Sequence, residues 1–298
     1  KRQRVLPQGP RTRKYEKNID EHDRNETIDI GEIYLSKLKK EDILILGAGQ
    51  VQPRKGVDIF ISVANNINKA ISNKSVRFLW IGDGYEPSYD FMVSLWLQDQ
   101  IARSGLSEKL LIIKNTSAYK QLIKRATLFL MTSRLDPLPN VAIDAMYAGT
   151  PMLCFEKACG VADYLEKDEV LKKNLVSQYL DINNMSEKAI HLINSDREYR
   201  EVANTCQRRA FGWFNIDGYA KELDRIGAEA ENIEKRISKE YYYLLHESKR
   251  NNKVKPHKIK EQDIKEYLLR WKSEIWPTKP TEGFHPGIYK DRNSGIEN

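Results

Sequence analysis

From residue 43 onward, short apolar runs alternate with stretches whose apolar residues recur every three to four positions. The runs ILILG (43–47), VRFLWIG (76–82), LLII (110–113), TLFLMTS (127–133), PMLCF (151–155) and LVSQYL (175–180) are rich in β-branched or aromatic residues. Such continuous runs predict strands buried on both faces. Between the first two, GVDIFISVANNINKAI sets Ile59, Phe60, Val63, Ala64 and Ile67 on one stripe of a helix. Further helices are predicted over 88–104, over 118–125 and from Asn140, a residue suited to an N-cap. The β-α-β-α rhythm predicts an α/β fold, an open, doubly wound, Rossmann-like parallel sheet, which binds ligands at the carboxyl ends of its strands.

The last third has a different texture. Residues 183–240 read as charged helices, 247–260 as a polar linker, and EQDIKEYLLRWKSEIW as one more helix with Ile264, Tyr267, Leu268 and Trp271 on one face. PTKPTEGFHPGIY reads as a coil. At the start, Pro7, Gly9 and Pro10 in KRQRVLPQGP suggest a linker, as in a fragment of something longer. The expected organisation is a linker and lead-in helix over 1–41, an α/β domain over 42–240, and a helical extension with a Pro/Gly-rich tail over 241–298.

Composition narrows the classes. With 40% hydrophobic and 31% charged residues the chain is of the soluble globular kind. No apolar run approaches a membrane span, and the first 20 residues are too charged for a secretory signal, so a cytoplasmic location is expected. The net charge of +7 comes largely from KRQRVLPQGPRTRKYEK and HESKRNNKVKPHKIK. Those runs read as solvated tails, with binding to anionic lipid or phosphates, and so association with the inner face of a membrane, as the other reading. No nucleic-acid partner is expected, since no helix-turn-helix, RNA-binding or zinc-finger pattern accompanies the charge. Cys154, Cys159 and Cys206 are odd in number and lack metal-site spacing, which predicts buried thiols and no metal centre. The five histidines, His22, His191, His246, His257 and His285, form no catalytic-looking cluster, and solvated positions are their default; His285 is ambiguous.

Chemistry gathers at the predicted strand ends. The first strand runs into GAGQVQPRKGVDIF, where Gly47 and Gly49 permit a tight turn and Arg54 and Lys55 stand at a helix start. That arrangement suits a diphosphate, because free N–H groups and the helix dipole already favour anions there. Two surface cations after a glycine turn is the plainer reading. Gly82 and Gly84 in IGDG end the second strand in the same way. SRLDPLPNVAIDAM places Asp136 after the fourth strand, at the same edge, and Asp144 one turn into the following helix. Carboxylates repel phosphate but accept hydrogen bonds from hydroxyls, as a ribose or a sugar ring offers. Simple helix capping by Asp136 and Asn140, with Asp144 a solvated first-turn acid, is the alternative.

The segment SRLDPLPNVAIDAMYAGTPMLCF resembles the donor-site motif of family-4 retaining glycosyltransferases with the GT-B fold: Glu-x7-Glu, then A-M-x-x-G-x-P. Asp136 and Asp144 fall on the two acidic positions, Lys55 on the phosphate-binding lysine, and IGDG, ARSGLSEKLLII and ATLFLMTS follow in the family's order. VLPQG is similar to the linker from an amino-terminal acceptor domain, and GFHPGIY to a tail in a subgroup that builds bacterial surface polysaccharides. The resemblance implies the donor-binding half of such an enzyme. A nucleoside diphosphate sugar is then the donor, a glycan is the acceptor, and neither metal nor further cofactor is needed. Asp136 would hold sugar hydroxyls, Asp144 the ribose, and Lys55 with Arg54 the diphosphate; Asp136, Lys55 and Arg54 are the catalytic candidates. Gly49, Gln50 and Gly82 would line the donor, and N–H groups near Leu138, Asn140 and Val141 would stabilise the leaving phosphate. Both acids are one methylene shorter than the family's glutamates, and Gln50 stands where the family has arginine. The acceptor domain and its histidine would precede Lys1, so the isolated chain is expected to bind donor and transfer poorly. A non-catalytic nucleotide-sugar-binding or regulatory module of the same fold is the alternative, and an epimerase is a third reading.

Overall fold

The structure is a computed structural model and describes residues 29–232. The expected linker at the start, the helix over 261–276, the GFHPGIY tail, and His22, His246, His257 and His285 lie outside those residues. The chain divides into a first unit ending at Lys221 and a second beginning at Glu222. In the second unit, residues 222–232 are helical, and Arg225 pairs with Glu222 and Glu229 within one turn.

In the first unit all six apolar runs are strands: β1 (Ile43–Ala48), β2 (Val76–Ile81), β3 (Leu110–Ile113), β4 (Leu128–Met131), β5 (Met152–Phe155) and β6 (Val176–Ser177). Every pairing is parallel, and the order across the sheet is β3-β2-β1-β4-β5-β6. Each position of β4 and β5 is buried, as strands covered on both sides by helices require. The chain steps from β1 outward to β3, then returns to β4 on the other side of β1. At that reversal the connections leave in opposite directions, opening a crevice at the carboxyl ends of β1 and β4.

Helix α1 (Ile30–Lys37) precedes β1, and α2 (Val57–Ala70) follows it. The stripe Ile59, Phe60, Val63, Ala64 and Ile67 of α2 is buried as its spacing predicts. Each large aliphatic or aromatic side chain so covered stabilises the fold by roughly 1.5–3 kcal/mol. Phe60 meets Trp80 of β2 edge to face, with ring centroids 5.3 Å apart. Helix α3 (Ser94–Arg103) is shorter than the expected 88–104. Its start is set by Asp90, whose carboxylate accepts the N–H groups of Met92 (3.1 Å), Val93 (3.2 Å) and Ser94 (2.9 Å), so that the loop is held by a side chain up to the first helical residue.

The remaining helices are α4 (Tyr119–Arg125), α5 (Asn140–Tyr147), α6 (Ala162–Leu165), α7 (Glu169–Leu175), α8 (Ile182–Asn194) and α9 (Asp196–Trp213). The three cysteines are free and buried, and burial pushes the Cys206 thiol up to about 12. His191 on α8 is exposed, and its ring pairs with Glu198 of α9.

Candidate functional site

Two glycine turns sit against each other at the crevice. A Cβ at Gly82 would stand 1.9 Å from the Gly49 carbonyl oxygen, so only glycine allows this approach. The Val51 N–H bonds the Asp83 carbonyl at 2.8 Å, and the Trp80 indole N–H reaches the Gly49 carbonyl at 2.8 Å. The β1 turn is thereby fixed to the end of β2. Gly49 itself has φ 141°, and a Cβ there would come within 3.2 Å of the Lys55 side chain. The absent side chain leaves a lane for the aliphatic stem of Lys55.

Pro53, Arg54 and Lys55 form one 3-10 turn, and Gly56 in the left-handed region turns the chain into α2. From the other side of the switch point, the chain leaving β4 brings in Asp136. This residue is held by backbone: its N–H donates to the Ala158 carbonyl at 2.7 Å, and the Gly160 N–H donates to the Asp136 carbonyl at 3.2 Å. Asp136 is 7% exposed. Its carboxylate takes an ion pair from Lys55 Nζ, and Arg54 Nη1 lies 3.6 Å from its other oxygen. The local charge without ligand is therefore two cations on one anion, which leaves room for an added negative group.

Helix α5 begins at Asn140, as predicted, but the cap position belongs to Pro139 and no side chain caps the helix. Pro139 holds φ −72° and ψ 120°, the extended backbone that leads into a first turn. Asn140 is already inside the helix, so it cannot serve as the N-cap. The first-turn N–H groups thus lack a side-chain acceptor of the capping kind, and the helix terminus favours an anion. One turn on, Asp144 accepts a hydrogen bond from the Tyr119 hydroxyl at 3.4 Å.

These groups line one cavity of about 810 Å³ at the crevice. Gly49, Gln50, Lys55 and Gly82 come to it from the β1 and β2 turns. Asp136, Leu138, Asn140, Val141 and Asp144 come from the β4–α5 connection. Of the residues expected at a donor, Arg54 alone is outside the lining. Its guanidinium turns to the Leu135 carbonyl at 2.9 Å and stands behind Asp136. The Gln50 side chain is engaged by Gln52 at 2.6 Å.

One wall was not anticipated. Asn115, Thr116, Ser117, Tyr119 and Lys120, from the end of β3 through the start of α4, line the cavity beside Asp83. The only sequence signal was positional: LLII ends at the same sheet edge, and the polar stretch KNTSAYK follows it. Asp29 braces this wall, accepting the Ser117 N–H (2.9 Å), the Ser117 hydroxyl (2.8 Å) and the Thr116 hydroxyl while capping α1. Burial raises the Asp29 pKa, but those hydrogen bonds outweigh it and hold the carboxyl well below the usual carboxylate range.

Among the described residues no group of three or more His, Cys, Asp or Glu could hold a metal ion, and no helix is long and apolar enough to cross a membrane. Residues 34–209 match the family model described as glycosyl transferases group 1. The chain belongs to this family. No curated protein matches the sequence. Among solved structures, the group 1 domain is similar to TarM of S. aureus, crystallised in mutant form with fondaparinux, α-GlcNAc-glycerol and UDP. The TM-score is 0.54 at 20% identity, over 63% of this chain and 36% of that one. It is similar to HepE of Anabaena in complex with UDP and glucose, with TM-score 0.55 and 19% identity over 63% of this chain and 49% of that one. The third likeness is to WaaG, a glycosyltransferase involved in lipopolysaccharide biosynthesis, with TM-score 0.56 and 19% identity over 75% of this chain and 55% of that one. At such identities the likeness is one of fold. The group 1 chain spans between about a third and just over half of the length of these structures.

Proposed function

We propose that the chain is the donor-binding half of a retaining GT-B glycosyltransferase of family 4, of the bacterial surface-polysaccharide type, taking a nucleoside diphosphate sugar. The observation that carries this reading is the meeting of Lys55, Asp136 and Asp144 in one cavity at the β1/β4 switch point. Lys55 faces the diphosphate and neutralises the charge that grows on it as the glycosidic bond breaks. The uncapped start of α5, near Leu138, Asn140 and Val141, adds N–H groups to the same phosphate oxygens. Asp144 takes the ribose hydroxyls and Asp136 the sugar hydroxyls. Arg54 acts from behind Asp136, offsetting its charge when Lys55 turns to phosphate. Glycan acceptor binding falls to a second GT-B domain, and without it the isolated chain binds donor and transfers poorly. A cytoplasmic parent enzyme belongs to this reading, and the basic runs KRQRVLPQGPRTRKYEK and HESKRNNKVKPHKIK, which suit an anionic surface, support its association with the inner face of a membrane.

A thermal-shift panel of UDP, GDP, ADP, dTDP and CMP, each with its sugars, tests the reading. A ligand at a hundredfold its Kd adds about 2.7 kcal/mol to the folded state, and one nucleotide series should raise the melting point by several degrees. No shift with any member would refute donor binding.

A second reading, a nucleotide-sugar-binding or regulatory module without turnover, is favoured by the two aspartates in place of glutamates and by Gln50, bound to Gln52, in place of arginine. Donor binding without transfer in the full-length parent would select it.

A further inference from the structure

We propose that Arg134 and Asp58 form a positioning clamp whose task is to aim Lys55; the proposal rests on the donor-site reading above. Within itself the turn Pro53–Lys55 is closed by only two backbone bonds, from the Lys55 N–H to the Gln52 carbonyl at 2.9 Å and from the Gly56 N–H to the Pro53 carbonyl at 3.2 Å. Its anchors to the rest of the fold come from the chain leaving β4. The Arg134 N–H donates to the Arg54 carbonyl at 2.9 Å, and Arg134 Nη1 donates to the Pro53 carbonyl at 2.6 Å. The same guanidinium grips Asp58 in the first turn of α2 with both nitrogens, at 2.9 and 2.6 Å. Thr132 adds a hydroxyl bond to the Gly56 carbonyl at 2.8 Å. One planar fork therefore ties Pro53, just before the Arg-Lys pair, to Asp58, the second residue after Gly56, bracketing Lys55 on both sides. Neither Arg134 nor Asp58 lines the cavity, so the pair acts through Lys55 and not by touching ligand. Asp58 also keeps the charge of Arg134 from repelling Lys55 and Arg54 close by.

A lysine at 134 keeps the charge but cannot reproduce the fork, so Arg134→Lys separates aim from charge. The measurement is the ratio of nucleoside to nucleoside diphosphate Kd, taken by calorimetry with the base that binds best. It is compared in wild type, Arg134→Lys, Lys55→Ala and the double variant, with melting curves confirming folding. The clamp predicts a ratio lowered on the order of tenfold in Arg134→Lys with nucleoside affinity unchanged, and little further change when Arg134→Lys is added to Lys55→Ala. A purely structural ion pair would lower both affinities together, or combine multiplicatively with Lys55→Ala, and either outcome overturns the proposal. Should Arg134→Lys fail to fold, Asp58→Asn is read by the same cycle. A wild-type protein with no preference for the diphosphate would overturn the donor reading itself, whereas a normal wild-type ratio with an additive cycle overturns only the clamp.

Discussion

Lys55 and Asp136, 81 residues apart in sequence, meet as an ion pair at the point where the strand order reverses. Both side chains are largely covered, with exposures of 14% and 9%. In the proposed donor complex the Lys55 ammonium moves toward phosphate and Asp136 takes a hydroxyl in exchange, so each side swaps one partner for another. Lys55→Met leaves a buried carboxylate supported only by Arg54 and should cost about 1–3 kcal/mol in urea unfolding. Adding Asp136→Asn should recover part of that loss, because the uncompensated charge is then gone. A double variant less stable than Lys55→Met would contradict the pairing.

Asp136 and Asp144 should separate in their effects on ligand. Asp144→Asn is expected to weaken nucleoside diphosphate binding, with or without sugar, by roughly ten- to a hundredfold, the range for a hydrogen bond to a charged group. Asp136→Asn should leave the nucleoside diphosphate nearly untouched and erase the extra affinity conferred by the sugar. Calorimetry with a nucleotide and its sugar conjugate resolves the two, and exchanged phenotypes would reverse the assignment.

Gly56 and Gly105 have almost the same backbone, φ 68° and 66°, but different surroundings. A Cβ at Gly56 would stand 2.0 Å from the Thr132 carbonyl, while one at Gly105 meets nothing within 4 Å. Gly105→Ala should cost about 1 kcal/mol, the conformational penalty alone. Gly56→Ala adds displacement of the turn that carries Lys55 and should cost about 3 kcal/mol or more. Thermal denaturation of the two variants gives the comparison, and equal losses would show that the turn yields freely.

Asp168 caps α7 through the N–H groups of Val170 and Leu171 and takes the Arg209 Nε–H at 2.7 Å. Burial raises its pKa, but Arg209 and the cap bonds outweigh this and leave the carboxyl below its usual value. A pKa lower in the folded than in the unfolded chain, where it is about 3.9, gives stability that is present above that value and lost as pH falls through the folded one. Asp168→Asn should therefore lose about 1–2 kcal/mol at pH 7, and its deficit relative to wild type should shrink below about pH 4. A deficit constant from pH 7 to pH 3 would contradict the ionic part of this interaction.

The strands were legible because parallel strands covered on both faces must be continuous apolar runs, and ILILG or TLFLM has no other comfortable home. The α2 stripe was equally plain. Chain order alone then put Gly49, Gly82 and Asp136 at one edge. The start of α3 was not legible, since Asp90 acts there through side-chain bonds to the loop and first helical N–H groups that periodicity does not register. Asn140 misled for a related reason: a good capping residue stood one position inside a helix whose cap is Pro139. The wall from Asn115 to Lys120 was missed because its residues carry no motif and become a site only through their place on the sheet. The Lys55–Asp136 pair, and with it the position of Arg54, depends on side-chain directions that spacing does not encode.

Hydrogen–deuterium exchange with and without a saturating nucleoside diphosphate tests the central claim most directly, because it reports where the ligand sits. The account predicts slowed exchange in peptides covering 49–57, 113–120 and 136–148, with the protection at 49–57 diminished in Lys55→Ala. Protection confined to other segments, or unchanged exchange across these three at full occupancy, would contradict it.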